Sequence, residues 1–124
     1  RNSNKKQQDT AHKLIDLGAD MIIGHHPHVV QEVEVYNGRY IFYSLGNFIF
    51  DQYFSAETQE GMSVIMNLQE DGSVGAQAFP FFSKKSQIER MVGDQKQEFF
   101  DWLQKNSRLE DKKFESLIFV EKSA

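Results

Sequence analysis

The amino-acid sequence predicts a mixed α/β fold in which β-hairpins are flanked by helices, and three observations carry this prediction. The first is an amphipathic helical pattern that is followed at once by a short apolar strand. The second is a pair of hairpin signals in the middle of the chain, and the third is another helical pattern near its end. The 124 residues are enough for one domain with a core and too few for two ordinary domains.

The first helix is predicted over residues 5–17, because Ala11, Leu14 and Ile15 form an apolar stripe and a glycine follows as a C-terminal stop. Residues 20–24 then form a short, buried strand. A helix followed by such a strand is the second half of a βαβ unit. Since the first strand of that unit is missing, we expect this chain to begin within a domain.

The first hairpin is predicted over residues 31–45, with its turn at Asn37-Gly38. Both turn positions tolerate positive φ, which makes this pair the strongest two-residue hairpin signal. The first strand alternates polar and apolar residues. The alternation predicts that its valines face the core and that Glu32 and Glu34 face the solvent.

A second hairpin is predicted from residues 61–69 and 73–82. The first of these strands shows little alternation, so we expect it to be buried on both faces, and Pro80 should lie at a strand end. A loop rich in phenylalanine, residues 46–60, connects the two hairpins. Its aromatic residues fit a lid or a partner surface, although core filling is the favoured interpretation.

The second helix is predicted over residues 94–106, with Asp94 as N-cap and Gln97 in the capping-box position. Residues 107–124 leave two alternatives open. A short second helix fits the apolar spacing, and an edge strand over 117–120 fits it equally well.

Composition excludes several classes of protein. The formal charge is −4 and no basic stripe is present, which argues against nucleic-acid binding. There is no cysteine, so disulfides and thiolate metal ligands are excluded. The absence of cysteine fits a cytoplasmic and an extracytoplasmic location equally well. No apolar run approaches the roughly 20 residues that span a bilayer, and no signal peptide is visible.

The best indication of chemistry is a histidine cluster, His25-His26-Pro27-His28, directly after the first predicted strand. Imidazole is the commonest protein ligand for transition metals. In an extended backbone His26 and His28 point one way and His25 the other. The pair also follows the carboxyl end of a strand, where open α/β sheets bind ligands. Metal or phosphate contact by His26 and His28 is therefore one interpretation, and ordinary surface histidines are the other.

Other candidate residues follow the first hairpin. Asn47, in a Gly-Asn pair, either hydrogen-bonds a ligand or a histidine, or only tolerates a left-handed turn. Asp51 is a candidate for orienting a metal-bound histidine, as are Asp20 and Glu32. His12 lies on the polar face of the first helix and carries no predicted role. No second group of histidine and carboxylate ligands occurs in the chain, so further metal ligands must come from elsewhere.

Two stretches of sequence resemble a known family. Residues 18–31, which contain the histidine cluster, and residues 41–51, Ile-Phe-Tyr-Ser-Leu-Gly-Asn-Phe-Ile-Phe-Asp, are similar to the CapA family of bacterial capsule and poly-γ-glutamate biosynthesis proteins. The similarity is ordered over about residues 10–55. It fades through residues 61–82, and nothing specific to the family is visible beyond about residue 90.

The resemblance implies a calcineurin-like metallophosphoesterase fold, a two-sheet αββα sandwich with a dinuclear metal site. His26 and His28 then correspond to the family's late H-x-H metal motif, and His25, Asn47 and Asp51 support the site or contact its ligand. The early metal motifs of the family are not in this sequence. The chain therefore resembles the C-terminal part of one such domain, a partial domain over 1–124 that ends in a helical segment, 94–124.

The resemblance also implies the function and setting of the parent protein. The parent is expected to be a metal-dependent hydrolase that uses Mn, Zn or Fe. This chain, as one part of the parent, is expected to be inactive alone. The alternative is a non-catalytic accessory subunit of a polymer synthesis and export complex. Expected partners are the upstream half of the same domain, other capsule-synthesis membrane proteins, an anionic polymer or phosphate ligand, and a second copy of the chain. The expected location is extracytoplasmic, with attachment to the bacterial membrane through a segment absent from this sequence.

Overall fold

A computed structural model describes residues 1–109 and the strand at 118–120. In this part of the chain two α-helices, one short 3-10 helix (Glu57–Gln59) and two small sheets occur. The helices are α1 (Lys5–Asp16) and α2 (Gly93–Asn106). The strands are β1 (Met21–Ile23), β2 (Val33–Tyr36), β3 (Arg39–Phe42), β4 (Glu60–Leu68), β5 (Val74–Lys84), β6 (Gln87–Arg90) and β7 (Ile118–Val120). The predicted mixed α/β class is confirmed.

The first sheet has the strand order β1-β3-β2. β1 runs parallel to β3, and β2 and β3 form the predicted antiparallel hairpin. Asn37 and Gly38 both have positive φ, +49° and +70°, as the tight turn requires. α1 begins with a capping box formed by Asn4 and Gln7, and it packs Ala11 against the sheet. The predicted helix, strand and hairpin are confirmed, although β1 is only half-buried.

The prediction that Glu32 and Glu34 face the solvent is wrong. Both carboxylates are buried, with 1% and 7% of their surface exposed. The valines of the same strand are buried as well, because α1 and the N-terminal residues cover one face of β2 while α2 covers the other. A strand that is covered on both faces buries every residue, whatever its alternation.

The second sheet is built on β5, which pairs with β4 along one edge and with β6 and β7 along the other. The predicted hairpin is confirmed, but two of its details are wrong. β4 is buried only near its start, since Ile65, Met66 and Leu68 are more than half exposed. Pro80 lies within β5 opposite Met62, and not at a strand end.

α2 begins one residue before the predicted range, and its N-cap is Val92 with no side-chain hydrogen bond. The predicted capping box at Asp94 and Gln97 is therefore wrong, and Asp94 lies in the first turn instead. The edge-strand alternative for the end of the chain is confirmed at β7, which corrects the prediction of a helical segment over 94–124. The remaining predictions for 110–117 and 121–124 lie outside the described residues.

The main core lies between the first hairpin, the second sheet and α2. Its most deeply buried large side chains are Tyr40, Phe42 and Leu103. A smaller cluster under α1 contains Ile15, Ile41 and Tyr43. β3 therefore contributes alternate side chains to two cores. This packing fixes the position of the loop that follows β3, and the candidate site lies in that loop.

Candidate functional site

The histidine loop starts at Gly24, where β1 ends against the chain that follows β3. The Gly24 amide donates to the Phe42 carbonyl at 2.7 Å, and the Leu45 amide donates to the Gly24 carbonyl at 3.3 Å. A Cβ atom at Gly24 would lie 2.3 Å from the Tyr43 carbonyl oxygen. This close approach admits only glycine, and it fixes the point from which the histidine loop leaves the sheet.

The histidine loop is not extended, which corrects the geometric part of the sequence prediction. His26 and His28 both have positive φ, +98° and +61°. Such left-handed geometry in a residue with a side chain costs about 1–3 kcal/mol and is concentrated at functional sites. The two imidazoles nevertheless come together, with ring centroids 6.0 Å apart.

His25 lies apart from this pair. Its side chain lines a groove of about 310 Å³ between α1 and the first sheet, together with Ala11, Leu14 and Ile22. Leu14, which was assigned to the buried stripe of the helix, is 44% exposed at this groove. The structure therefore assigns His25 to a different surface from the one that His26 and His28 share.

Asn47 is the residue that holds His28. Its side-chain oxygen lies 2.8 Å from His28 Nδ1, and its amide nitrogen donates to the Thr58 carbonyl at 3.0 Å and to Gln52 Oε1 at 3.2 Å. Asn47 is 7% exposed, whereas His28 is half-buried and its ring contacts Phe50 at 5.2 Å. Of the two interpretations of Asn47, the structure favours the hydrogen bond to a histidine.

Asn47 is itself fixed by two glycines. Gly46 has a φ of +76°, and a Cβ atom there would lie 2.6 Å from the Glu60 carbonyl. A Cβ atom at Gly61 would lie 2.4 Å from the Asn47 carbonyl oxygen. The two glycines form an isolated antiparallel bridge that joins the end of the first hairpin to the start of β4. Sequence reasoning missed Thr58, Gln52 and Gly61, because no local pattern indicates that they approach Asn47.

The other carboxylates suggested as partners of the histidines do not contact them. Asp51 is exposed, Asp20 pairs with Arg39 at 3.2 Å, and Glu32 accepts hydrogen bonds from Ser3. Among residues 1–109 and 118–120, no three histidine or carboxylate side chains are grouped as a metal site. The roles of His25 and Asp51 in ligand binding stay predictions.

The donor set of the pair fits part of a metal site. An imidazole that ligates through one nitrogen has its centroid about 3 Å from a zinc-sized ion, so two rings lie about 5 Å apart at a tetrahedral angle and about 6 Å apart on opposite sides of the ion. The 6.0 Å between His26 and His28 exceeds the tetrahedral value, so the two rings would have to approach by about 1 Å to share a tetrahedral ion. The pair therefore suits two positions of a larger ligand set, and a complete set requires groups outside the described residues.

The aromatic loop beside the site is exposed, which makes the favoured prediction of core filling wrong. The exposed fractions run from 43% to 78% for Phe48, Ile49, Phe50, Tyr53 and Phe54. Phe48 keeps one edge-to-face contact, with Phe81 at 5.3 Å. An apolar rim next to two histidines is a surface suited to contact with another molecule.

Sequence reasoning missed a buried polar cluster around Glu34. Tyr43 donates to its carboxylate at 2.5 Å and Arg108 at 2.7 Å, and His12 Nε2 lies 3.0 Å from its other oxygen. The His12 ring stacks on Tyr36 with centroids 3.9 Å apart. His12 thus has a structural role that its place on the polar helix face did not indicate.

The charges of this cluster shift its pKa values. Burial raises the pKa of Glu34, but the hydrogen bonds from Arg108, Tyr43 and His12 together outweigh it, so the pKa lies below its usual value of 4.5. The hydrogen bond to Glu34 raises the pKa of Arg108. Burial, and then the same carboxylate, raise the pKa of Tyr43. The cluster is therefore an ion pair with a protonated tyrosine at neutral pH.

Comparison with known proteins bears on the first half of the chain. Residues 1–52 match the model of a family described as bacterial capsule synthesis protein PGA_cap. This range contains α1, the first sheet, the three clustered histidines, Asn47 and Asp51. Residues 1–52 are similar to this capsule-synthesis family. The resemblance of the histidine and Gly-Asn stretches to this family is confirmed.

Three relatives illustrate the match. The PGA biosynthesis protein CapA of Bacillus subtilis is 49% identical over 70 residues, 56% of this chain and 18% of that protein. The capsule biosynthesis protein CapA of Bacillus anthracis is 46% identical over 68 residues, 55% of this chain and 16% of that protein. A probable polyglutamine synthesis accessory protein of Mycobacterium tuberculosis is 44% identical over 41 residues, 33% of this chain and 11% of that protein.

The chain therefore spans less than a fifth of the length of these CapA relatives. The similarity covers the part of the chain in which the matched residues 1–52 and the candidate site lie. Within the described residues, neither helix is long and apolar enough to cross a bilayer.

Proposed function

We propose that this chain is part of a bacterial protein of capsule-polymer biosynthesis, of the poly-γ-glutamate class. The observation that carries the proposal is the CapA-family match over residues 1–52, which contains the loop where His26, His28 and Asn47 come together. Two relatives that are nearly half identical over more than half of this chain are named for capsule or PGA biosynthesis.

Within that process, we propose that the parent protein is a metal-dependent hydrolase of the metallophosphoesterase type. His26 and His28 provide two imidazoles for a divalent ion, Mn, Zn or Fe, and the missing ligands come from the upstream half of the same domain. A bound ion of this kind supplies Lewis-acid chemistry. The residues of this chain would hold the ion and its anionic ligand, a phosphate or the polymer, and this chain alone is inactive.

An accessory role is the second candidate function, and two observations favour it. The described residues provide two histidines but no third metal ligand, and one relative is named as an accessory protein of polyglutamine synthesis. In this case the fold is retained for binding within a synthesis and export complex. The two histidines and the aromatic rim would then contact polymer or a partner protein.

The proposed setting follows from the same relationship. We place the parent on the outer side of the bacterial membrane, attached by a segment outside this sequence and in contact with other capsule-synthesis membrane proteins. The exposed strand β4 and the open edge of β1 are surfaces on which the upstream half of the domain, or a second copy of the chain, would pack. A fragment that lacks this cover is expected to associate with itself.

The test is complementation in a laboratory Bacillus subtilis strain that lacks its own CapA. The parent protein should restore poly-γ-glutamate release, measured by polymer mass per cell. If the parent is a metal-dependent hydrolase, the double variant His26→Ala/His28→Ala should fail to restore it, while His25→Ala should succeed. Full restoration by the double variant would instead favour the accessory role. Failure of the unchanged parent at normal expression would contradict the proposed process.

A further inference from the structure

We infer that Asn47 is a positioning residue that holds His28 in the Nδ1–H tautomer, so that the lone pair of Nε2 is presented to the ligand. This inference rests on the proposed function, in which the ligand at the histidine pair is a divalent metal ion. The side-chain amide of Asn47 thus determines which of the two ring nitrogens of His28 carries the hydrogen. Neither the family match nor the names of the relatives state such a role.

The first step is the orientation of the Asn47 amide. Its nitrogen lies 3.0 Å from the carbonyl oxygen of Thr58, a group that can only accept a hydrogen bond. A flipped amide would bring two acceptor oxygens to this distance, which is repulsive. The side-chain oxygen of Gln52, at 3.2 Å, accepts from the same nitrogen. The oxygen of Asn47 must therefore be the atom that faces His28.

The second step is the state of the imidazole. The Asn47 oxygen only accepts, so His28 Nδ1 must donate across the 2.8 Å contact. In a neutral imidazole the other nitrogen then carries the lone pair. Histidines that bind metals have one nitrogen oriented in this way by a neighbouring acceptor.

The third step is rigidity. Asn47 is buried, and its backbone is fixed between Gly46 and Gly61, neither of which has room for a Cβ atom. The Thr58 side chain adds to this, because its one hydroxyl hydrogen is shared between the carbonyls of Gln52 and Ser55, each 3.0 Å away, and so holds these loop residues together. The acceptor is therefore in place before any ligand arrives, which is what a positioning role requires.

His12 serves as an internal control, because its neutral form is expected to carry the hydrogen on Nε2 rather than on Nδ1. Its Nε2 lies 3.0 Å from a carboxylate oxygen of Glu34, so that Nε2 must carry the hydrogen. The two histidines therefore predict different signals in one sample. No variant at Asn47 should alter His12, because the two residues share no contact partner in the described structure.

The test is long-range ¹⁵N–¹H NMR of the histidine side chains in the metal-free, ¹⁵N-labelled chain at about pH 8, where an ordinary imidazole is neutral. We expect the Nδ1–H pattern for His28 and the Nε2–H pattern for His12. Asn47→Leu should convert His28 to the Nε2–H form that an unconstrained histidine side chain prefers. Gln52→Ala should leave the tautomer unchanged, since the Thr58 carbonyl remains.

A predominant Nε2–H form of His28 in the unchanged chain would overturn the inference. An Asn47→Leu variant that keeps the Nδ1–H form would overturn it as well. If that variant fails to fold, the tautomer of the unchanged chain still decides the question. Binding of Zn²⁺ is measured separately on this chain extended upstream to a whole domain. Asn47→Leu should weaken that binding about 10- to 100-fold. A correct tautomer without Zn²⁺ binding by the unchanged protein would reject the metal proposal and leave the positioning role standing.

Discussion

Arg108 donates a hydrogen bond to Glu34 at 2.7 Å, although 74 residues separate them in sequence. The backbone of Arg108 also pairs with β2, because its amide donates to the Val33 carbonyl and its carbonyl accepts from the Val35 amide. The segment after α2 is thus attached to the hairpin that leads into the candidate site. A buried carboxylate is acceptable here because three donors surround it.

This relationship predicts the effect of Glu34→Gln. The variant keeps the shape of the side chain but removes its charge. Arg108 then loses the nearer of its two carboxylate partners and keeps Glu32 at 3.6 Å, and at least one buried hydrogen bond is mismatched. We expect the free energy of unfolding to fall by about 1–3 kcal/mol, measured by urea denaturation. Glu89→Gln, at an exposed position of β6, is the matched control and should change it by less than about 0.5 kcal/mol. Equal effects of the two variants would contradict the role of Glu34.

The lowered pKa of Glu34 predicts an acid dependence of stability. The folded state binds the Glu34 proton more weakly than the unfolded state, whose pKa is close to the ordinary 4.5. The stabilisation by Glu34 is therefore fully present above this pH and is lost as the pH falls through the folded-state pKa. Unfolding midpoints measured between neutral pH and pH 3 should decline less steeply for Glu34→Gln than for the unchanged chain. Parallel curves for the two proteins would show that another group causes the decline.

Gly24→Ala should disturb the histidine loop more than its small size suggests. The new methyl group would lie 2.3 Å from the Tyr43 carbonyl oxygen, which is backbone and cannot rotate away. We expect a loss of about 1–3 kcal/mol in the free energy of unfolding, as is typical of overpacking. NMR shifts should change at His26 and His28 as well as at Tyr43. A variant of unchanged stability and spectrum would show that this contact is not as tight as the structure has it.

Phe54→Ser tests the exposure of the aromatic loop beside the candidate site. Phe54 is 78% exposed, so that its removal should change the free energy of unfolding by no more than about 0.5 kcal/mol. Phe42→Ala, at a fully buried position, should cost about 3–5 kcal/mol in the same urea titration. A large fall in the free energy of unfolding for Phe54→Ser would mean that the loop packs into a core, as its sequence predicts.

Local patterns in the sequence predicted most of the elements. The apolar spacing of α1 and the Asn37-Gly38 turn each depend on neighbours within a few residues, and the helix and the hairpin that they predict are confirmed. The burial of Glu32 and Glu34 was not predictable in this way. Their partners come from both ends of the described chain, and alternation alone does not show that both faces of a strand are covered.

The candidate site was predicted in composition but not in geometry. The spacing of His26 and His28 correctly indicated two imidazoles near one point. The reason given, an extended backbone, was wrong, because both residues adopt positive φ. The hydrogen bond from His28 to Asn47 depends on a loop closure between Gly46 and Gly61, and no pattern within either segment encodes that contact.

The most direct test of the central claim, that His26 and His28 provide ligands of a divalent-metal site, is calorimetric titration with Mn²⁺ and Zn²⁺. The titrated protein is this chain extended upstream to a whole domain, with His26→Ala, His28→Ala and His25→Ala as variants. We expect binding by the unchanged protein, loss of binding in the first two variants, and retention in His25→Ala, since His25 lines another groove. No binding by the unchanged protein, or equal binding by all four, would contradict the metal site and leave the accessory role as the better explanation.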